Sequence, residues 1–328
     1  MRIFLDSPKV VVIIVIWNGI EDTLECLRSL ELDLYPNKEI IIVDNASTDG
    51  SAARIRKEGF NVRILRSERN LGFTGGNNLG LSEAERSGAK YAFLLNNDTT
   101  VEPATISHLV KVSESRMDAG AVSPLMHYYD APEEPWFSGA ELRLTRGEAN
   151  HVFPLPQDVP YETEWLSGCA VLVRMVVVSQ IGGFDNRFYL TWEDVDWSLR
   201  MRKAGWSLLV VTETRILHKG GRSGAKLTGV QSYYAVRNSL LLAAKHAGAG
   251  YWSALCCVLY RHITMGLRNS RKNRREILGT TFEGLFDHWR GRYGARGSYS
   301  GRNSERPVFA LKGEKVVGKK QTRCASSK

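Results

Sequence analysis

The run Val10–Ile16 reads VVVIIVI, β-branched at every position. It offers no polar face, so as a strand it must be covered on both sides, which is the condition of a strand inside a parallel sheet flanked by helices. The apolar stretch Val10–Trp17 comes after Lys9, and a basic residue ahead of an apolar run is also a mark of signal sequences. It spans only about eight residues and runs into Asn18-Gly19-Ile20-Glu21-Asp22 without a small-residue cleavage site, so a buried strand accounts for it better. Elsewhere no stretch reaches the roughly 18–20 apolar residues that cross a bilayer.

The pattern downstream of this strand supports a mostly parallel α/β fold. Ile20, Leu24, Leu27 and Leu30 recur at helical spacing, then Glu39–Val43 reads as a second strand ending at Asp44-Asn45. Ala52–Glu58 is expected to be helical and Val62–Leu65 a third strand. Gly72–Gly76 is expected as a loop and Asn77–Ser87 as a helix. Tyr91–Leu95 is a fourth strand ending at Asn96-Asn97-Asp98. Strands alternating with helices imply parallel pairing, and ligands of such sheets bind beyond the carboxyl ends of the strands. Asp44 and Asp98 are thus expected to line one crevice. Residues 128–160, rich in Pro, Glu and aromatics, read as irregular with short strands. Beyond them Leu166–Val173 reads as a strand with close backbone approach at Gly168. Asp194–Lys203 reads as a helix, Ser207–Val211 as a strand leading to His218, and Ser232–His246 as a helix.

Five segments have the residue types for chemistry, and each also has an ordinary structural reading. Asp98, after an apolar strand, can hold a divalent cation against a diphosphate, since magnesium and manganese take oxygen ligands from few carboxylates plus phosphates. Asn96, Asn97 and Asp98 are equally turn formers. Asp44-Asn45 with Ser47-Thr48-Asp49 can read a base or ribose edge, or form an Asx turn that caps the next helix. The stretch Asn70–Asn78 is glycine-rich at a helix start, where backbone N–H groups can face an anion. It matches neither the P-loop nor the dinucleotide fingerprint. Trp192-Glu193-Asp194-Val195-Asp196-Trp197 sets acids between tryptophans. An acid here can act as general base, or the run is an acidic helix start with core tryptophans. His218 is either structural or a ligand that completes a metal site.

In their order and spacing these segments resemble the family-two glycosyltransferases with the GT-A fold, closest to a bacterial rhamnosyltransferase-like branch. The carrying stretches are VDNASTDGS, NLGFTGGNNLGL, LLNNDT and WEDVDWSLR, with Trp165–Ala170 and His218, within Val10–Arg222. The resemblance implies a GT-A nucleotide-sugar-binding fold with a mostly parallel central sheet and a C-terminal helical and basic extension. It implies an inverting sugar transfer to an acceptor hydroxyl, with Asp194 as base and Glu193 positioning the acceptor. Asp44, Asn45, Gly75, Gly76, Asn77, Asn96 and Asn97 would meet the donor, and Trp192, Trp165 and Gly168 the acceptor. Asp98 and His218 would hold Mn²⁺ or Mg²⁺. Here Asn96 replaces the first acid of the Asp-x-Asp metal motif, which leaves less charge for the ion and raises an inactive nucleotide-sugar binder as the rival reading. The branch favours dTDP-L-rhamnose as donor, a glycan or lipid-linked acceptor, and a role in cell-surface polysaccharide or glycolipid synthesis.

The formal charge of +9 is unevenly spread. Residues 261–328 hold 17 Lys and Arg against 5 Asp and Glu, while residues 1–260 hold 27 against 30. The basic character therefore belongs to the C-terminal segment. Without a reader motif there, and with a mildly acidic main domain, a nucleic-acid partner is not expected. Residues 1–225 are expected as the catalytic domain, with a donor half (1–125) and an acceptor half (126–225). Residues 226–290 are expected as a helical region and 291–328 as a disordered basic tail, with loosening already from Asn269. Tyr251–Leu267 is apolar at helical spacing beside Arg268, Arg271, Lys272, Arg274 and Arg275, a pattern that suits an anionic membrane surface or a helix packed on the domain. Five cysteines, Cys26, Cys169, Cys256, Cys257 and Cys324, show no paired spacing, so neither a disulfide framework nor a zinc site is expected and a reducing cytoplasm fits.

Overall fold

The computed structural model describes residues 7–151, 160–220, 229–297 and 314–315. The first half alternates as β1 (Val10–Ile16), α1 (Ile20–Leu32), β2 (Lys38–Asp44), α2 (Ser51–Glu58), β3 (Arg63–Arg66), α3 (Gly72–Arg86), β4 (Tyr91–Leu95), β5 (Thr99–Val101) and α4 (Thr105–Ser115). Five strands come next: β6 (Ala119–Tyr128), β7 (Ala131–Phe137), β8 (Ala140–Arg143), β9 (Glu148–His151) and β10 (Tyr161–Glu162). Then come β11 (Ala170–Arg174), α5 (Met175–Ile181), α6 (Glu193–Lys203) and β12 (Ser207–His218). Helices α7 (Gly229–His246), α8 (Tyr251–Arg268) and α9 (Arg271–Trp289) close the described chain, apart from β13 (Glu314–Lys315).

Among the described residues one sheet runs β10-β12-β6-β11-β4-β1-β2-β3-β13, with β5 beside β12 and β7 beside β6. Strands β3, β2, β1 and β4 are mutually parallel. Strand β11 is antiparallel to both β4 and β6, and β12 is parallel to β6. The sheet is therefore mostly parallel, as the alternation implied, with β11 reversed at its centre. β8 and β9 form a separate hairpin.

Both faces of β1 are covered, which is why the strand tolerates no polar residue. Val10, Val12, Ile14 and Ile16 join a core with Leu24, Leu27 and Leu30 of α1, Ile55 of α2 and Ile106 of α4. Val11 and Ile13 join the opposite core with Leu81 of α3, Met175 of α5, and Trp197 and Met201 of α6. The alternation is a direct consequence of the two-residue period of a strand.

Four elements differ from the sequence expectation. The glycine-rich stretch is the first turns of α3 rather than a loop, because its glycines are packing surface. A Cβ on Gly76 would lie 2.6 Å from Val15 and one on Gly80 2.3 Å from Ile13, so α3 sits closer to β1 than any side chain permits. Strand β11 starts at Ala170, after Gly168 has turned its N–H toward α6. Strand β12 runs on to His218, with register shifts against β6 that carry it past the expected end at Val211. Finally, α9 carries the expected helical region on to Trp289, past Asn269 where the charge runs suggested loosening. Its Leu285 packs with Val236 and Leu240 of α7 and with Leu255 and Val258 of α8, and its Gly284 lies against the Tyr233 carbonyl. Arg222, the 225 boundary and nearly all of the 298–328 tail fall outside the described residues.

Candidate active site

Three parallel neighbours, β2, β1 and β4, end at one edge of the sheet and deliver Asp44, Trp17 and Asn96 to it. Asp44 is buried, accepts the Ser47 N–H at 2.8 Å, and has Arg66 3.7 Å away. Trp17 is 61% exposed at the same edge. The turn after Trp17 is left-handed at Asn18 and Gly19. It is held to the Asp44 turn by two bonds, Asn18 N–H to Ser47 Oγ and Thr48 N–H to Asn18 Oδ1, both 2.9 Å. Asn45 is used internally. Its amide donates to Asn70 Oδ1 and the Gly72 carbonyl, each at 3.0 Å, and its Oδ1 accepts the Leu71 N–H. It thus brackets the start of α3 rather than facing outward. Asn77 likewise donates back to the Phe73 carbonyl, and Gly76 faces the sheet. Gly75 lies against Leu71, with Asn186 beyond it.

The second part of the site is assembled from strands far apart in sequence. Asn96 donates its N–H to the Cys169 carbonyl, which sets the end of β4 beside the approach to β11. Asn97 is tied to Thr23 of α1 at 3.0 Å. His218, at the end of β12, pairs with Thr99 and Tyr128, and its Nε2 lies 3.3 Å from Asp98 Oδ1. Lys219 donates its N–H to the Asp98 carbonyl and its ammonium to Asp22 and Glu25. Burial pushes the Asp98 carboxyl up, but the His218 hydrogen bond and charge outweigh it and hold the group below its ordinary range. The His218 ring is buried edge-on to Trp136, 4.4 Å between centroids, with Nδ1 lacking a partner.

Gly168 joins this region to the acids of α6. A Cβ there would lie 2.9 Å from Phe73 and 3.5 Å from Asp194, so glycine is required for the approach. Its N–H donates to Asp194 Oδ2 at 3.1 Å, while Oδ1 accepts the Val195 N–H at 2.8 Å. With Trp165 as a further donor to this carboxylate, at least one of its four lone-pair sites is left open. Glu193 is buried with Oε2 unpaired. Burial is the main cause that raises both carboxyls, Glu193 most strongly, because Asp194 beside it adds like charge. Burial also dominates the raised Cys169 thiol, to which Asp98 and Asp194 both contribute, so the two acids lie within electrostatic reach of one buried side chain. Trp165 stacks edge-on to Phe137 at 5.1 Å, and its side chain acts on Asp194 as a hydrogen-bond donor that partly offsets the raised pKa. Trp192 packs among Phe188, Val195 and Leu241.

Sequence reasoning passed over Trp17, Asn18 and Lys219, and above all Arg237 and Asn238 of α7. Both α7 residues are fully buried, and both bond the loop before Glu193. The one available signal was an Arg-Asn pair just ahead of the apolar run Leu240–Ala244.

The mostly parallel central sheet, with acids at its strand ends and a reversed strand leading to a second acidic pair, has the GT-A glycosyltransferase fold. Solved members share the fold. A mannosyltransferase of Pyrobaculum calidifontis, in complex with GDP-mannose and Mn²⁺, superposes with a TM-score of 0.57 at 13% identity over 86% of this chain and 88% of its own. S. aureus TarS in complex with UDP-GlcNAc gives 0.56 at 16% over 85% and 81%. The profile described as Glycosyl transferase family 2 matches residues 11–181, and the chain belongs to that family. It is a glycosyltransferase. An N-acetylglucosaminyl-diphospho-decaprenol L-rhamnosyltransferase of Mycobacterium tuberculosis is 28% identical over 286 residues, 77% of this chain and 92% of the relative. A dTDP-rhamnosyl transferase of Shigella flexneri is 21% identical over 64% of this chain and 72% of its own.

Proposed function

We propose that the protein transfers L-rhamnose from dTDP-L-rhamnose, with inversion, to a hydroxyl of a lipid-linked glycan acceptor in cell-surface polysaccharide or glycolipid synthesis. The observation that carries the reading is Asp194, whose two oxygens are each held by one backbone N–H, one of them from Gly168 next to the Cys169 carbonyl that bonds the end of β4. Donor and acceptor are those in the names of the relatives from Mycobacterium tuberculosis and Shigella flexneri. In this reading the Asp194 carboxylate takes the proton of the acceptor hydroxyl as its oxygen bonds the anomeric carbon, and the bond from that carbon to the nucleoside diphosphate breaks. Glu193, buried with Oε2 unpaired, orients the acceptor through a hydrogen bond. Trp17 offers a flat exposed face near Asp44 for the base. Trp165 and Trp192 shape the acceptor side, and Gly168 sets the distance between Phe73 and Asp194.

Asp98 and His218 suit a divalent cation. Their Oδ1 and Nε2 lie 3.3 Å apart, and His218 is a buried imidazole with Nδ1 unpaired. Among the described residues no third His, Cys, Asp or Glu joins them, so a bound ion would be held by Asp98 and His218 and would draw its remaining ligands from outside the chain, as Mn²⁺ and Mg²⁺ accept. Such an ion neutralises charge on the departing diphosphate.

The test is donor binding and turnover across dTDP-rhamnose, UDP-sugars and GDP-mannose, with Mn²⁺, Mg²⁺ or EDTA. The expected result is selective, EDTA-sensitive use of dTDP-rhamnose, reduced at least about a hundredfold by Asp98→Ala, since several kcal/mol of charge stabilisation are lost. Selective binding without turnover for any acceptor supports the inactive nucleotide-sugar binder instead.

A further inference from the structure

Tyr189, Thr191 and Trp192 all have positive φ, 66°, 72° and 72°, although none is glycine. L-residues avoid this region because Cβ crowds the carbonyl, so a cluster of them persists only where the surroundings impose it. The surroundings are two side chains of α7. The Asn238 amide donates to the carbonyls of Phe188, Leu190 and Thr191 at 2.8, 2.7 and 2.9 Å. The Arg237 guanidinium donates to the carbonyls of Arg187 and Phe188 at 3.1 and 3.0 Å, and to Gly294 at 2.7 Å. Its Nε donates to Asn238 Oδ1 at 2.9 Å, which fixes the amide with both N–H groups toward the loop. Arg237 is itself enclosed by the rings of Tyr233 and Tyr234, the guanidinium 5.3 and 4.9 Å from their centroids.

The clamped segment touches both halves of the site. At one end Tyr189 stacks on Tyr234 at 5.4 Å and fills the space a Cβ would need at Gly72, while its carbonyl accepts the Thr74 N–H of α3. At the other end Trp192 is the residue from which α6 starts, so its left-handed turn sets where Glu193 and Asp194 point.

We propose that Arg237 and Asn238 are positioning residues for the transfer reaction, holding residues 187–192 in a path with left-handed turns at Tyr189, Thr191 and Trp192 that aims Asp194 at the acceptor. The proposal rests on the reading of Asp194 as base. It assigns a catalytic task to the C-terminal helices, which lie outside the stretch matched by the family profile.

The test uses the full chain with Asn238→Ser and Asn238→Asp, which remove two or more of the three donated bonds. Hydrogen exchange of amides 188–194 is expected to accelerate at least about tenfold while α1 and β4 keep wild-type protection. Turnover is expected to fall at least about tenfold, with donor affinity measured without acceptor changing by less than about threefold, and the acidic limb of the pH–rate profile should move. Thr191→Gly in the Asn238→Ser background should recover at least about fivefold in turnover, because glycine holds this φ without the amide. Unchanged exchange across 188–194, or a lower unfolding temperature with turnover per folded molecule and pH limb unchanged, overturns the clamp. Absence of rescue by Thr191→Gly also counts against it. Asp194→Asn in the wild-type background separates the two ideas: full turnover there removes the base reading, while faster loop exchange in the Asn238 variants would still stand.

Discussion

Asp194 sits at the N-terminus of α6, which favours its negative charge, yet burial raises its pKa and Glu193 beside it is raised further. A base works as the carboxylate, so a raised pKa moves the loss of activity to higher pH than an ordinary aspartate would give. The acidic limb of kcat/KM is therefore expected above about pH 4, with rate rising as pH passes through the raised value. Asp194→Asn keeps the side chain's shape, but its single amide oxygen can accept only one of the two backbone N–H groups and it cannot take the proton. Turnover should fall roughly 10²–10⁴-fold, with donor binding retained in a direct titration. At this scale the sequence was partly legible. Asp98, His218, Glu193 and Asp194 were singled out by the family resemblance, and the structure sets Asp98 against His218 and Glu193 beside Asp194 at the start of α6. Asn45 and Gly76 could not be placed, because an amide and a glycine serve packing as readily as binding, and which one applies is set by the neighbours that fold onto them.

Helix α3 shows how tightly an element's seat can depend on one atom. A Cβ at Gly80 would lie 2.3 Å from Ile13 Cγ2 in the middle of β1, and neither partner is free to move, since β1 is paired on both sides. Gly80→Ala should destabilise by about 1–3 kcal/mol through overpacking, read as a lower denaturant midpoint. This outweighs the helix-propensity gain of about 1 kcal/mol that alanine would bring. Helices α6 and α7 are joined by a buried charge cluster. Asp196, fully buried, meets Lys245 at 2.6 Å, His246 at 2.8 Å and Arg200 at 2.9 Å. Burial alone would raise its pKa, but the His246 hydrogen bond, the Arg200 charge and Lys245 together depress it. A depressed folded pKa means the stabilisation is present above the unfolded value and is lost as pH falls through the folded one. Asp196→Asn should lower the unfolding temperature at neutral pH and flatten its decline below about pH 4, as thermal scans across pH would show.

At the scale of the molecule, α8 and α9 pack on α7 through Leu255, Val258 and Leu285 and turn a second apolar stripe outward. Trp252, Tyr260 and Leu267 of α8 are 69%, 72% and 51% exposed, and Phe282, Phe286 and Trp289 of α9 are 53%, 50% and 61% exposed. Arg290 lies over the Phe286 ring at 3.9 Å. Among the described residues no helix is long and apolar enough to cross a membrane. Aromatic side chains beside arginines suit the headgroup layer of an anionic bilayer, which is where a lipid-linked acceptor would be met. The protein is expected to float with vesicles containing anionic lipid and to lose most of that binding on Trp252→Ser/Trp289→Ser, with donor affinity unchanged. No binding to anionic vesicles would count against this seat.

The sequence by itself determined the strand and helix alternation, the parallel sheet and the acids at its strand ends, because these come from local periodicity and from where ligands meet such sheets. Tertiary structure alone decided that β11 runs backwards, that β12 continues to bring His218 to Asp98, and that Arg237 and Asn238 reach back about 50 residues to hold the loop before Asp194. Those outcomes depend on contacts between residues far apart in the chain, and a local pattern carries no information about such contacts.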